Sequence, residues 1–185
     1  MPEFNSSNAE CFIYTFKEGL LSSFAHDLKL EVSEFEIEIG HHDGVHPPEK
    51  GFFVNAVFDA ASVRAVCAMK DGVESPGTLL PKDIKEIENN TAETVLQSSR
   101  FPRIQFRSED ISANPDNLKI TGKLTVCRAT RTVTVTVERR TDKCVATATV
   151  NQPDFGIKPF SALLGAIRVK PDVAILVRAP FDCFF

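Results

Sequence analysis

Apolar and polar residues alternate along most of this chain. Leu28, Leu30 and Val32 are separated by Lys29 and Glu31, with Ser33 following. Phe35, Ile37 and Ile39 then run in the opposite phase, with Glu34, Glu36 and Glu38 between. Successive side chains of a strand point to opposite faces, so the phase cannot change without an extra residue. The pattern therefore predicts a β-bulge at Ser33-Glu34 that bends the strand. Leu118, Ile120, Leu124 and Val126 alternate with Lys119, Thr121, Lys123 and Thr125. Val133, Val135 and Val137 alternate with Thr132, Thr134 and Thr136, and Val173, Ile175 and Val177 repeat the pattern. These are half-buried antiparallel strands with one apolar face.

Strands are also expected over 10–18, 51–59, 103–111 and 144–151. The run from Gly51 to Phe58 is apolar on both faces and predicts cover on both sides. Thr141-Asp142-Lys143 reads as a hairpin connection. One segment departs from alternation. Pro81 opens a helix, Asp83 suits its first turn, and Ile84, Ile87, Val95 and Leu96 follow helical spacing. Asn90 with Glu93 three residues on has the form of a capping box, which predicts two short helices, 82–89 and 91–98, before Pro102. A further helical turn is expected within 159–165. Together these elements predict an all-β domain spanning 1–185, an antiparallel eight-stranded barrel with a helical excursion at 81–98. Closing the sheet removes its exposed edges, and about eight strands enclose one small ligand.

Composition narrows the partners. The 185 residues carry 21 bases and 25 acids, a net charge of -4, which argues against general nucleic-acid binding. No apolar run reaches the roughly 18 residues of a membrane-spanning helix. Met1-Pro2-Glu3-Phe4-Asn5 lacks the basic and apolar regions of a secretory signal, so a cytoplasmic location is expected. The cysteines Cys11, Cys67, Cys127, Cys144 and Cys183 form no CxxC pair and read as reduced thiols. Charge is unevenly spread: residues 1–50 sum to -7 and residues 100–143 to +5. Two solvated sheet faces, a self-complementary dimer, or two strands paired by charge would each account for it. Aromatics are skewed to 15 Phe, with one Tyr and no Trp. Phe buries area without needing a polar partner. Phe12, Phe16, Phe35, Phe53, Phe58, Phe106, Phe155 and Phe160 are therefore candidates for a cavity wall or a filled core.

Four segments, in order, resemble the YceI-like family of lipocalin-like polyisoprenoid-binding proteins. They are Phe24 to Val32 with its His26-Asp27-Leu28 start, Val95 to Phe106 with Pro102, Thr121 to Val133, and Asp154-Phe155-Gly156-Ile157. The third is the strongest, with a Gly-x-Leu-Thr strand, a turn ending in Thr130-Arg131 and a Val-rich return. The family often has His-Gly where this chain has Cys127-Arg128, and many members are exported. The stretch from Gln152 to Ser161 is similar to a cytosolic subgroup. The resemblance covers roughly residues 10–179. It implies an elongated barrel with a deep apolar cavity for a long lipid chain, often in a homodimer.

Few residues point to chemistry. His26 beside Asp27 either orients a head group or bonds backbone at a turn. No second residue is placed to complete a nucleophile–base pair, so catalysis is not expected. Histidines 41, 42 and 46 could ligate a metal, yet Asp43-Gly44 and Pro47-Pro48 mark a surface loop without a supporting shell, and a solvated loop is expected. Arg131 either forks onto an anionic head or pairs with the acidic N-terminal block. Asp154 is expected to cap a turn, with Phe155 and Ile157 packed inward and Gly156 allowing a bend. The expected ligand-binding set is His26, Phe35, Phe53, Phe58, Phe106, Arg131, Phe155 and Phe160, with no cofactor or metal. The expected function is non-enzymatic carriage or storage of an isoprenoid, quinone-like or fatty-acid-derived lipid. The alternative is a stress-related or sensory scaffold with a filled interior, and a third reading uses His26 as a catalytic base.

Overall fold

A computed structural model describes residues 3–21, 25–42, 44, 51–113 and 117–180. Its strands are β1 (Glu3–Asn5), β2 (Glu10–Thr15), β3 (Lys17–Glu18), β4 (Asp27–Val32), β5 (Phe35–His41), β6 (Phe52–Asp59), β7 (Val63–Lys70), β8 (Val73–Ser75), β9 (Arg103–Ala113), β10 (Asn117–Val126), β11 (Ala129–Arg139), β12 (Lys143–Asn151), β13 (Ser161–Ala162), β14 (Ile167–Val169) and β15 (Asp172–Pro180). Every pairing is antiparallel. Twelve strands form one curled sheet, in the order β1-β5-β6-β9-β10-β11-β12-β15-β2-β4-β7-β8, and β13-β14-β3 form a small second sheet. The all-β antiparallel class with a short helix is as expected. The strand count of eight is not.

The count differs because the run over 28–39 is broken at a corner into two strands, and because β1, β7 and β8 join the sheet without an alternating signal of their own. β4 and β5 are separated by Ser33-Glu34, and β6 and β7 by the turn Ala60–Ser62. The Ser33 N–H donates to Ser62 O at 3.2 Å, and the Asp59 N–H donates to Glu34 O at 2.9 Å. Ser62 is buried, and its hydroxyl accepts from the Glu34 N–H at 3.1 Å. The phase change read from the sequence therefore sits in a corner between two strands, not in a bulge within one. The register shifts lie elsewhere. One places Val66 opposite no partner in the β4–β7 ladder, and one does the same to Glu109 in the β9–β10 ladder.

Alternation gives the sheet its inner face. On β12, Cys144, Ala146, Ala148 and Val150 point one way, and on β15 Val173, Ile175, Val177 and Ala179 do so. Val133, Val135 and Val137 of β11 complete the same surface. One main core cluster includes Phe4, Cys11, Leu30, Phe35, Ile39, Val54, Phe106, Ile120 and Cys144. A smaller one gathers Val126, Phe155 and Ile157.

The helical excursion is continuous. α1 (Pro81–Asn89) opens with proline, and the Asp83 carboxylate accepts from the Leu80 N–H at 3.1 Å. It passes directly into a π-helical turn, Asn90–Val95. Asn90 is right-handed helical (φ -62°, ψ -39°), so it does not open a second helix as an N-cap. The Thr91 hydroxyl donates back to Ile87 O at 2.8 Å, which fits a local widening of the helix. Glu88 docks the helix against the sheet by accepting from the Ala65 N–H of β7 at 3.0 Å.

A candidate lipid-binding cavity

The curled sheet and the helical excursion enclose a cavity of about 620 Å³. Small-molecule pockets commonly run to about 300–1,000 Å³ and are mostly apolar. The space exists because the inner face carries small residues. Ala56, Ala146, Ala148, Ala179, Cys11 and Cys144 all border it. Leucine or phenylalanine at those sites would fill it.

The two ends differ. One is closed by β1, whose Phe4 is buried beside Cys11, Ile39, Val54, Val137 and Cys144. At the other end β2 leaves the sheet and β4 enters it. There the small sheet β13-β14-β3 adds Lys17, Phe160, Ile167, Arg168 and Val169 to the wall, and His26 and Gln152 border it too. Gln152 is buried, and its amide donates to Lys170 O at 3.1 Å. The Lys17 ammonium donates to Ala25 O at 2.9 Å, and Asp27 accepts from the Lys17 N–H at 2.7 Å. Arg168 lies 3.6 Å from Glu18. On the helical side, Asp83, Ile87, Asn90, Thr91, Val95 and Leu96 complete the wall.

The residues singled out from the sequence divide. His26, Phe58, Phe106 and Phe160 border the cavity. Phe35, Phe53, Phe155 and Arg131 do not. Phe35 is buried at the corner, its ring 6.0 Å from that of Phe58. Phe53 has the opposite phase to Val54 and Ala56 and stacks outside on His42, centroid to centroid 4.6 Å. Phe155 is 2% exposed and packs behind the wall with Val126 and Ile157. It sits on the turn Gln152–Phe155, which ends at Gly156 in a left-handed conformation (φ 72°). Arg131 shares the inward phase of Val133, yet it is exposed, and its guanidinium donates to Thr130 O at 2.9 Å. β11 pairs with β12 only from Thr136 onward, so Arg131 precedes the closed part of the wall. Of the other phenylalanines weighed, Phe12 is buried on the outer face beneath Lys29, whose ammonium lies 4.0 Å from its ring centroid. Phe16 is partly exposed.

Histidine 41 packs edge-on against Phe52 at 4.9 Å. The His42 contact gives Phe53 partial outer cover, whereas Phe52, in the phase of Val54, stays 46% exposed. His46 lies outside the described residues, as do Asp43 and Cys183. Among the described residues there is no cluster of three or more metal-ligating side chains. Cysteines 11, 67 and 127 are free thiols. Burial pushes the Cys11 thiol up to about 12, with the nearby Glu31 charge adding to the effect. Glu10 and Glu18 of the acidic block pair with Arg178 and Arg168, bases outside the 100–143 stretch.

Aliphatic wall residues were missed by the emphasis on Phe. The signal that finds them is the phase of the alternation, together with the small residues at 144, 146 and 148.

The family model for the YceI-like domain matches residues 14–181. The chain belongs to the YceI-like family. Among solved structures it is similar to Burkholderia cenocepacia BcnA, at 15% identity and a TM-score of 0.61, covering 94% of this chain and 96% of that one. It is also similar to the Campylobacter jejuni YCEI protein, at 14% identity and a TM-score of 0.54, covering 83% of this chain and 84% of that one. At such identities the likeness is one of fold. Among curated proteins nothing matches. No helix among the described residues is long and apolar enough to cross a membrane.

Proposed function

We propose that this YceI-like protein is a non-enzymatic carrier or store for one long-chain amphiphile. The apolar tail would lie in the cavity against the strands, and the head group would rest at the end bordered by Lys17, His26, Gln152 and Arg168. The observation that carries the reading is the polarity of the cavity along its length. Its far end, under Phe4, is walled by aliphatic and thiol side chains, and charged groups gather where the small sheet meets the wall. A tail stabilised by about 0.8 kcal/mol per buried CH₂ needs few polar contacts to bind tightly. An isoprenoid, a quinone-like chain and a fatty-acyl chain all meet these requirements.

The cavity volume weighs against the alternative of a filled, purely structural interior. A catalytic role for His26 finds less support than a head-group role, because the wall around it is mostly apolar and no nucleophile stands paired with it in the described contacts. The closed far end also favours a held ligand over a substrate in passage.

The test is organic extraction of the purified full-length protein followed by mass spectrometry. A stoichiometric long-chain amphiphile is the expected result. Protein that carries no lipid, and takes none up after incubation with prenyl or acyl amphiphiles, would overturn the reading.

A further inference from the structure

The small sheet at the cavity mouth carries an apolar tip. β13 and β14 are joined by the turn Leu163–Gly165, in which Leu163 (φ 48°) and Leu164 (φ 54°) are both left-handed. Side chains of L-residues rarely adopt that backbone, and two leucines in succession are unusual there. Both project outward: Leu163 is 64% exposed and Leu164 fully exposed. The Gly19–Leu21 loop lies against the same turn. The Leu21 N–H donates to Ala166 O at 2.9 Å, and a Cβ on Gly19 would meet that same oxygen at 2.5 Å. Leu20 is 96% exposed, and Leu21 and Phe16 are each more than a third exposed. Exposed apolar residues normally scatter singly, so a cluster of this kind marks an interaction site.

The surroundings of the tip suggest the partner. Residues 155–171 contain Lys158, Arg168 and Lys170 and no acid, in a chain of net charge -4. β3 adds Lys17, and its Glu18 is already paired with Arg168. Ile167, Arg168 and Val169 of β14 border the cavity directly behind the tip. An apolar point on a segment whose charged residues are all basic matches the interface of an anionic bilayer, where acyl chains lie beneath phosphate head groups.

We propose that this tip docks on an anionic lipid bilayer. Leu20, Leu21, Leu163 and Leu164 enter the acyl boundary, and Lys158 and Lys170 meet the phosphates. The cavity mouth is then held at the membrane surface, where an amphiphile can pass between bilayer and barrel. A second protein is the other occupant that an apolar patch can take. The basic surround and the lipid-sized cavity behind it favour the bilayer. The inference rests on the carrier reading for its purpose, and vesicle binding is scored separately from ligand uptake.

The experiment is flotation of the full-length protein with vesicles of phosphatidylcholine alone, and of phosphatidylcholine with phosphatidylglycerol, at low and high salt. Binding to the anionic vesicles that weakens with salt is expected. The double variant Leu20→Asn, Leu164→Asn should reduce partitioning by about 100-fold, roughly tenfold per leucine removed from the interface. Asparagine tolerates the left-handed backbone, and neither leucine borders the cavity, so far-UV circular dichroism and uptake of a dispersed prenyl or acyl ligand should stay as in the parent. Failure of both vesicle types to bind would overturn the docking proposal, as would a double variant that floats like the parent. So would a double variant altered only in oligomeric state. Ligand uptake without vesicle binding would leave the carrier reading standing alone.

Discussion

Lys29 Nζ lies 2.6 Å from Glu74 Oε1, a contact that ties β4 to the short strand β8 on the outside of the sheet. The lysine is buried and spans the ring of Phe12, whereas Glu74 is half exposed. The lysine's hydrogen bond, and then its charge, hold the Glu74 carboxyl below its ordinary value of 4.5. The unfolded chain therefore takes up this proton at a higher pH than the folded one. Ionised Glu74 favours folding above its ordinary value, and that contribution fades as pH falls through the lowered folded value. Glu74→Gln should destabilise the protein at pH 7, with the gap to the parent closing as pH falls below the ordinary carboxyl value of 4.5 and through the lowered folded value. Urea unfolding at pH 7 and in acid checks it, and a gap independent of pH would contradict it.

Gly122 explains the glycine of the Thr121-Gly122-Lys123-Leu124-Thr125 segment in physical terms. It faces the register shift at Glu109, and a Cβ there would meet the Phe106 ring at 2.7 Å and Ser108 Cα at 2.8 Å. The obstacle includes backbone, which moves only with the strand. Gly122→Ala should destabilise by about 3 kcal/mol, at the upper end of overpacking costs. Equilibrium denaturation with an unchanged m-value is the check.

Cys11 faces the cavity with 2% exposure and a thiol pushed up to about 12. At pH 8 about one thiol in ten thousand would be ionised. Iodoacetamide should leave Cys11 unmodified in the folded protein and label it fully in denaturant. Peptide mapping by mass spectrometry reads both, and rapid native labelling at Cys11 would contradict the burial argument.

Much of this fold was legible as alternation, because a sheet with one apolar face writes its phase into the chain. β10, β11, β12 and β15 follow it closely. β7 escaped notice because Val66 is skipped in its ladder, so the run from Val63 to Lys70 changes phase midway. β13 and β14 are too short for periodicity to register. The helix was readable from Pro81 and Asp83, but the capping signal at Asn90 was overridden by the continuous helical backbone. At the cavity, Phe53 was separable from Phe58 by phase alone. Arg131 was not separable, since its exposure depends on where β11 parts from β12. The mouth residues Lys17, Gln152 and Arg168 come from three distant segments that only the tertiary fold brings to one wall.

Head-group selectivity should follow the mouth and not the β10–β11 turn. Arg168→Ala should weaken a long-chain carboxylate or phosphate by about 1 kcal/mol, the scale of one exposed charge-assisted bond. Arg131→Ala should leave the same affinity unchanged. Paired titrations with an anionic and a neutral head on the same tail check this. Equal losses from both variants would contradict the assignment of the mouth.

Tail burial is the central claim, and a chain-length series on delipidated protein tests it most directly. Calorimetric titration with saturated amphiphiles of one head group should show affinity rising by about 0.8 kcal/mol per added CH₂, or about 3 kcal/mol over four. The rise should level off once the chain reaches the end closed by Phe4, and Ala146→Phe should bring that plateau to a shorter chain. Affinity that ignores chain length, or a plateau that Ala146→Phe does not move, would contradict it.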